Sequence, residues 1–156
     1  KKIDYFNEKI KLNIGYVDQT SKLLDDSLKM NIAFSENLNS KKIENYKILL
    51  EKCGLDKLDK SIKFRENNNI GEDSKLISGG EKQRICIART IFRNPEIIIF
   101  DEPTSSLDED NEKKIMDLIA KFKNDKIIIV ITHNNKYLSI FDRVYHLKNK
   151  SLNKLK

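Results

Sequence analysis

Residues 77–84 read ISGGEKQR, and residues 97–103 read IIIFDEP. In the first segment, Ser78 is followed three residues later by Glu81, which is the pattern of a capping box at the start of a helix. The second segment is a short apolar run that ends in two carboxylates, and such a run is typical of a parallel strand covered on both faces. A helix that leads into such a strand predicts an α/β fold.

The same alternation of helices and strands continues on both sides of these segments. We predict strands at residues 13–17, 97–101, 127–131 and 144–147, of which the third is buried. We predict helices from Ser78 to Asn94-Pro95 and at residues 108–123 and 135–141. A helical pattern also covers about 27–66, with Ile43 and Ile48 among its apolar positions and Gly54 as a helix cap. This order predicts an open, mostly parallel α/β sheet.

The composition is that of one soluble globular domain. The 156 residues carry a net charge of +6, and the 30 basic residues, mostly lysines, are interleaved with 24 acidic ones. This charge fits a surface that binds nucleic acid or an anionic membrane, but it also fits an ordinary solvated surface. We favour the ordinary solvated surface, because no block of like charge stands out. No apolar run approaches the roughly 20 residues that span a bilayer. The two cysteines, without a signal peptide, fit a reducing compartment.

Asp101 and Glu102 stand at the carboxyl end of a predicted strand, where open α/β sheets place their ligands. An aspartate there can hold Mg²⁺. A glutamate beside it can polarise an attacking water as general base. Taken alone, the pair fits a solvated turn equally well.

Three further positions have the chemistry of a phosphate site. Ser78, Gly79 and Gly80 open a helix whose free N–H groups suit an anion, although a flexible loop before a capped helix would look the same. His133 follows a strand and can hydrogen-bond a phosphate oxygen, although a lone histidine is more often structural. Gln19 follows another strand and could ligate Mg²⁺ or water, or be a polar turn residue.

The order of these motifs is more specific than any one of them. The segments IGYVDQ, ISGGEKQR, IIIFDEPTSSLD and VITHN together resemble the ATP-binding cassette (ABC) ATPase family, from about Asn13 to the C-terminus. The resemblance implies ATP and Mg²⁺ as ligands and ATP hydrolysis as the activity. It also implies a P-loop NTPase-type sheet at residues 1–19 and 95–156, with an inserted helical subdomain at about 20–94.

The resemblance also implies a role for each matching residue. Gln19 matches the glutamine that touches Mg²⁺ and the attacking water, Asp101 the Walker B aspartate, Glu102 the catalytic glutamate and His133 the switch histidine. Residues 78–81 (Ser78, Gly79, Gly80 and Glu81) match the signature motif, in which Ile77 replaces the usual leucine. Asp108 closes the segment that matches the D-loop at a dimer seam. In the family, two cassettes pair head to tail, so each signature motif serves its partner's nucleotide.

The kind of cassette is narrowed by two segments. Residues 18–34 and 70–72 look like the exporter pattern, which implies a transmembrane domain fused upstream and a place on the cytoplasmic face of the membrane. The alternatives are a soluble cassette ATPase that acts on nucleic acid or ribosomes, and a catalytically silent interaction module. We expect no nucleic-acid partner, and the presence of Glu102 and His133 argues against a silent module.

The sequence contains no G-x-x-x-x-G-K-[ST] motif, the Walker A or P-loop motif that supplies most of the phosphate contacts. We therefore expect the chain alone neither to bind MgATP tightly nor to hydrolyse it. In the family, the P-loop strand lies beside the strand that matches residues 127–131. We expect an unpaired edge there, and with it a rearranged sheet or self-association.

Overall fold

Three parallel strands form the centre of the fold, and they lie in the order β1 (Ile14–Val17), β2 (Ile97–Asp101) and β3 (Ile127–Ile131). The structure is a computed structural model that describes residues 13–20, 22–63, 69–71 and 77–156. Val17 pairs with Phe100, and Asp101 pairs with Ile131. The carboxyl ends of the three strands therefore lie at one edge of the sheet.

The helices alternate with these strands along the chain. In the described residues they are α1 (Leu28–Ala33), α2 (Ser40–Lys52), α3 (Asp56–Lys63), α4 (Gly79–Phe92) and α5 (Glu109–Phe122). The α/β class with a mostly parallel sheet is thereby confirmed. The predicted helix starts at Ser78 and Asp108 are also confirmed, because both residues cap the helices that follow them.

The core lies between one face of the sheet and α4 and α5. Ile98 and Phe100 of β2 are fully buried, together with Ile85 and Ile87 of α4 and Ile115 of α5. Burial of this kind stabilises the fold by about 25 cal/mol for each Å² of apolar surface removed from water.

Gly15 allows β1 to pack closely against α4 and Pro95. A Cβ at Gly15 would lie 2.6 Å from Thr90 Cγ2 and 2.8 Å from Pro95 Cγ. No side chain fits there, so a glycine is required for β1 to pack at this distance from α4.

The opposite face of the sheet is apolar and largely exposed. The pairing register places Ile14, Ile97 and Ile127 in one row across the three strands, and Tyr16, Ile99 and Ile129 in another. Relative exposures on this face reach 61% at Ile127 and 46% at Ile129. The predicted burial of residues 127–131 is therefore wrong, and residues 97–101 are fully buried on one face and half-buried on the other. An apolar run does not specify what covers it, and no described element packs on this face.

The C-terminal part departs further from the prediction. The strand predicted at 144–147 exists as β4 (Tyr145–Lys148), but it pairs antiparallel with β5 (Ser151–Lys154) and does not extend the parallel sheet. Asn149 and Lys150 between them both have positive φ, as in the primed turns that match strand twist. The predicted helix at 135–141 is reduced to a 3₁₀ turn at Leu138–Ile140.

The helical region also differs in one respect. Ile43 and Ile48 of α2 are 41% and 42% exposed, whereas Tyr46, Leu49 and Leu50 face the core. Gly54 follows the end of α2 with a φ of +64°, as a helix-capping glycine does. Parts of four predicted segments lie outside the described residues: 1–12 of the sheet part, Ser21 in segment 18–34, 64–66 of the helical pattern, and Glu72 in segment 70–72. None of the described helices is long and apolar enough to cross a membrane.

Candidate functional site

Asp101 is the last residue of β2, and its carboxylate lies at the edge where the strands end. The hydroxyl of Tyr16 on the neighbouring strand β1 donates a hydrogen bond to Asp101 Oδ2 over 3.1 Å. This bond favours the protonated phenol, so it raises the pKa of Tyr16. Asp101 Oδ1, the other carboxylate oxygen, accepts no hydrogen bond from the described residues.

Glu102 leaves the strand through a left-handed backbone conformation, with a φ of +47°. For a residue with a side chain, such a conformation costs about 1 to 3 kcal/mol and persists only where surrounding contacts hold it. The Glu102 N–H donates to the carbonyl of Ile131 over 2.9 Å. This bond continues the β2–β3 ladder by one residue and turns the side chain toward the loop after β3.

The Glu102 carboxylate is held by that loop. Its Oε1 accepts a hydrogen bond from the His133 backbone N–H over 3.0 Å and lies 2.8 Å from His133 Nδ1. Its Oε2 accepts from Thr132 Oγ1 over 3.4 Å. The structure therefore brings together Asp101, Glu102 and His133, which the sequence places in two distant segments.

The two partners differ sharply in exposure. The Glu102 side chain is 17% exposed, whereas the His133 side chain is 84% exposed. A carboxylate oriented in this way can accept a proton from a water that lies beside it. The exposed imidazole can contact a ligand with its other ring nitrogen, Nε2.

The start of α4 is built as the sequence predicts. Ser78 Oγ accepts from the Glu81 N–H over 3.2 Å, and Glu81 Oε2 accepts from the Ser78 N–H over 2.8 Å, so the capping box is confirmed. Gly80 packs on the loop after β2: a Cβ there would lie 2.8 Å from the carbonyl oxygen of Ser106. Gly79 has more room, since the nearest atom to its Cβ position is 3.9 Å away.

Asp108 lies at the end of the same loop and caps α5. Its Oδ1 accepts from the Asn111 backbone N–H over 2.9 Å, and its Oδ2 accepts from Asn111 Nδ2 over 2.7 Å. These bonds lower the pKa of Asp108. Asp108 thus stabilises the start of α5. Its place at a dimer seam stays a prediction.

Sequence reasoning missed Gln83. Its side chain is 1% exposed and bonds the backbone of Glu102 and Ser106. One signal was available: Gln83 is a polar residue four and eight positions before Ile87 and Ile91, on an otherwise apolar stripe of α4.

Glu112 on α5 was also missed. Its Oε1 accepts from Thr104 Oγ1 over 3.2 Å and from Asn134 Nδ2 over 2.8 Å, and Lys136 lies 3.6 Å from its Oε2. Glu112 thus joins the loop after β2 to the loop after β3, and these loops carry Glu102 and His133.

Comparison with known proteins identifies the family. A protein-family model described as ABC transporter matches residues 2–105 of the chain. The chain belongs to the ABC transporter family. Proteins of this family bind ATP, typically with Mg²⁺.

The relatives of this ABC chain include exporters and importers. An export ATP-binding/permease protein of Rickettsia typhi is 37% identical over 77% of the chain. A phosphate import ATP-binding protein, PstB 2, of Listeria monocytogenes is 33% identical over 86% of it. An ATP-dependent lipid A-core flippase of Colwellia psychrerythraea is 32% identical over 90%. The chain spans 20%, 48% and 24% of these proteins, respectively.

A solved structure agrees with these relatives. A bacterial Atm1-family ABC exporter with ATP bound superposes on 90% of the chain with a TM-score of 0.74 and 28% identity, and the match covers 24% of that exporter. The P-loop NTPase-type fold class and the exporter-type resemblance are thereby confirmed.

The donor set at the strand ends of this ABC chain suits Mg²⁺. Gln19 lies two residues after β1, is exposed and has no hydrogen-bond partner among the described residues. No cluster of three or more histidine, cysteine or acidic side chains in the described part of the chain could enclose a metal. An open site with an aspartate and an amide oxygen fits a cation that keeps waters and binds nucleotide phosphates.

Proposed function

We propose that this chain contributes to ATP hydrolysis in an ABC exporter, as one half of a head-to-tail pair of cassettes. The observation that carries the proposal is the Glu102 carboxylate, which is held 2.8 Å from His133 Nδ1 beside Asp101 at the carboxyl ends of parallel strands. This is where α/β sheets place ligands. Glu102 and His133 are in this proposal the catalytic residues.

Glu102 acts as the general base. The His133 backbone N–H and side chain fix the orientation of its Oε1, and the low exposure of Glu102 keeps bulk water from competing for it. The carboxylate accepts a proton from the attacking water. His133 reaches the phosphate oxygens with its free ring nitrogen.

Asp101 and Gln19 hold Mg²⁺ in this proposal. A bound Mg²⁺ neutralises charge on the phosphate oxygens. Asp101 Oδ1 is available for this purpose, because the hydrogen bond from Tyr16 engages only Oδ2. That bond also fixes the rotation of the Asp101 carboxylate, so the ligand oxygen is oriented before the cation binds.

The start of α4 serves the partner's nucleotide. Ser78, Gly79, Gly80 and Glu81 form a helix N-terminus, where an anion is stabilised, and Gly79 and Gly80 carry the backbone N–H groups that the capping box does not engage. Asp108 and the loop before it lie at the seam between the two cassettes. The helical part at about 20–94 thus meets a phosphate held by the partner, and the sheet part at 1–19 and 95–156 supplies the other half of a site.

Export is favoured over the alternatives. The relatives named above are transport proteins, and the matching exporter structure covers 90% of the chain. In this proposal a transmembrane domain joins the cassette on one polypeptide, and the cassette lies at the cytoplasmic face. Nothing favours a soluble ATPase that acts on nucleic acid or ribosomes.

Glu102→Gln in the full-length protein tests the proposal. We expect ATP hydrolysis in proteoliposomes to fall at least about 100-fold, because the general base is removed, while nucleotide binding is retained. Glu109→Gln is the matched control, since the Glu109 side chain is 83% exposed and bonds Lys136. Hydrolysis by Glu102→Gln at the rate of this control would refute the proposed role. Export of a substrate by the same proteoliposomes would be lost in parallel.

The chain of residues 1–156 alone is expected to behave differently. Because it has no P-loop motif, calorimetry should detect no micromolar binding of MgATP, and phosphate release should stay at the background rate. Micromolar binding or sustained turnover by this chain would contradict that expectation.

A further inference from the structure

Gln83 occupies an unusual place for a polar side chain. It lies on α4 within the apolar stripe that continues to Ile87 and Ile91, and it is 1% exposed. A buried amide must find partners for its donor and acceptor groups. Gln83 finds them on the loop after β2, although 19 or more residues of chain separate it from each of them.

The first partner is the backbone of Glu102. Gln83 Nε2 donates to the Glu102 carbonyl over 2.8 Å. The Glu102 N–H already bonds the carbonyl of Ile131 over 2.9 Å, and the Ser105 N–H also donates to the Glu102 carbonyl over 3.2 Å. This left-handed residue is therefore held by β3, by its own loop and by α4. Removing the Gln83 donor would leave the Glu102 carbonyl with the longer hydrogen bond from Ser105 and without its connection to α4.

The second partner lies four residues further along. Gln83 Oε1 accepts from the Ser106 N–H over 3.2 Å, and Gln83 Nε2 also lies 3.4 Å from Ser105 Oγ. Gly80 packs against the Ser106 carbonyl one turn before Gln83 on the same helix. The side chain therefore ties α4 both to Glu102 and to the loop that precedes α5.

We propose that Gln83 is a positioning residue that holds the backbone of Glu102 in register with α4, and so couples the start of α4 to the general base of its own subunit. This inference rests on the proposed function. Gln83 itself is too deeply buried to meet a nucleotide. It acts through the orientation of Glu102.

Gln83→Met in the full-length protein gives the first test. Methionine has a similar length and no polar groups, so the contact with the Glu102 carbonyl is lost. We expect kcat for ATP to fall about 10- to 100-fold with an unchanged KM, because a small misplacement of a catalytic group has this effect on the chemical step. Thr90→Val is the control, because the Thr90 hydroxyl is buried on the same helix and bonds only Cys86 within it.

Mixed pairs separate coupling to Glu102 from a general weakening of α4. Two differently tagged protomers are co-expressed, and one carries Glu102→Gln, so that turnover depends on the Glu102 of the other. We expect Gln83→Met to lower kcat when it shares a protomer with the intact Glu102. In the opposite protomer, whose α4 faces the active site, it should leave kcat near the value of the Thr90→Val control.

If Gln83→Met does not fold, Gln83→Glu tests whether the hydrogen bond to the Glu102 carbonyl affects kcat. A carboxylate can accept from the Ser106 N–H, but only the protonated acid can also donate to the Glu102 carbonyl. The ratio of its kcat to that of the wild type should therefore rise as the pH is lowered from about 8 to about 6, since burial favours the neutral acid. A ratio that does not change with pH would overturn the proposal.

A wrong role for Glu102 and a wrong role for Gln83 would give different kinetic results. Full turnover by a pair in which both protomers carry Glu102→Gln would overturn the proposed function itself. If that pair is inactive, but Gln83→Met beside an intact Glu102 turns over at the wild-type rate, the coupling through Gln83 is refuted and the proposed function stands.

Discussion

Glu102 is supported by contacts from separate parts of the chain before any ligand binds. β3 supplies the carbonyl of Ile131, the next loop supplies Thr132 and His133, and α4 supplies Gln83. Each contact involves a different group of Glu102, either a backbone group or a carboxylate oxygen. Pre-organisation of this kind lets a general base act without a reorganisation step at the moment of reaction.

Glu112 holds together the loops after β2 and β3, and its contribution to stability can be measured. Its side chain is 12% exposed and accepts hydrogen bonds from Thr104 and Asn134. Glu112→Ala removes Oε1, which accepts both bonds, and leaving two partly buried donors unpaired should lower the free energy of unfolding of the chain by about 1 to 3 kcal/mol. Urea unfolding followed by circular dichroism measures this change.

Glu109→Ala is the matched comparison for Glu112. Glu109 is on the same helix and bonds Lys136 over 2.7 Å, but its side chain is 83% exposed. Exposed ion pairs contribute little to stability, so this substitution should have a much smaller effect. Equal losses for the two variants would show that Glu112 does not join the loops.

Cys53 gives a prediction about reactivity. It is 1% exposed at the end of α2, and burial raises the pKa of its thiol to about 12. Because the thiolate is the reactive form, Ellman's reagent at about pH 8 should not modify Cys53 in the folded chain, and should modify it quickly in urea. Cys86→Ser removes the other thiol, so that the signal belongs to Cys53; rapid reaction in the folded state would contradict the buried placement.

Sequence reasoning located residues whose neighbours in sequence show their place. Asp101, Glu102 and His133 each follow an apolar run that ends at the edge of a sheet. It did not identify Tyr16, Gln83 or Glu112 as supports. Their partners are distant in sequence, 85 residues in the case of Tyr16 and Asp101, and such pairs depend on how whole elements pack.

At the scale of elements, α4 and the loop before α5 pack so closely that no side chain fits at Gly80. Gly80→Ala would place a methyl group 2.8 Å from the Ser106 carbonyl oxygen. Either the helix or the loop must move, and overpacking of this kind should lower the free energy of unfolding by about 1 to 3 kcal/mol. Thermal or urea unfolding of the chain measures it.

Gly79→Ala is the control for this prediction. Its added methyl group would meet nothing closer than 3.9 Å. Because alanine is the better helix former, the stability should stay equal or rise by no more than about 1 kcal/mol. Loss of stability in Gly79→Ala but not in Gly80→Ala would contradict the described packing.

The elements were predicted best where their ends carry local signals. Ser78 and Asp108 mark helix starts because their side chains bond backbone groups three residues away. The burial of β3 and the partner of β4 had no such signal. An isoleucine run is equally compatible with a covered and an open face, and a strand's partner is set by the turn and the chain that follow it.

At the scale of the whole molecule, the largest departure from the predicted burial is on the face of the sheet opposite α4 and α5. Ile14, Tyr16, Ile127, Ile129 and Ile131 share this face with exposures from 46% to 61%. Among the described residues, β3 also has a free edge. Apolar faces and free strand edges favour association between chains.

We therefore expect the chain alone to form oligomers as its concentration rises, and Ile129→Lys to shift it toward the monomer. A lysine at the centre of the face interrupts the apolar surface and disfavours edge pairing. Sedimentation velocity measures both species. Ile43→Lys is the control, because Ile43 is similarly exposed, at 41%, on α2; a wild-type chain that stays monomeric at high concentration would refute the expectation.

The left-handed conformation at Glu102 has a consequence for protein engineering. Part of the support for this conformation comes from α4, through Gln83, and so from outside the strand and loop that contain Glu102. A designer who transplants residues 97–108 onto another parallel sheet would move the carboxylate without one of the groups that hold its backbone. The smallest transferable unit is therefore the pair formed by that segment and α4, with Gln83 retained.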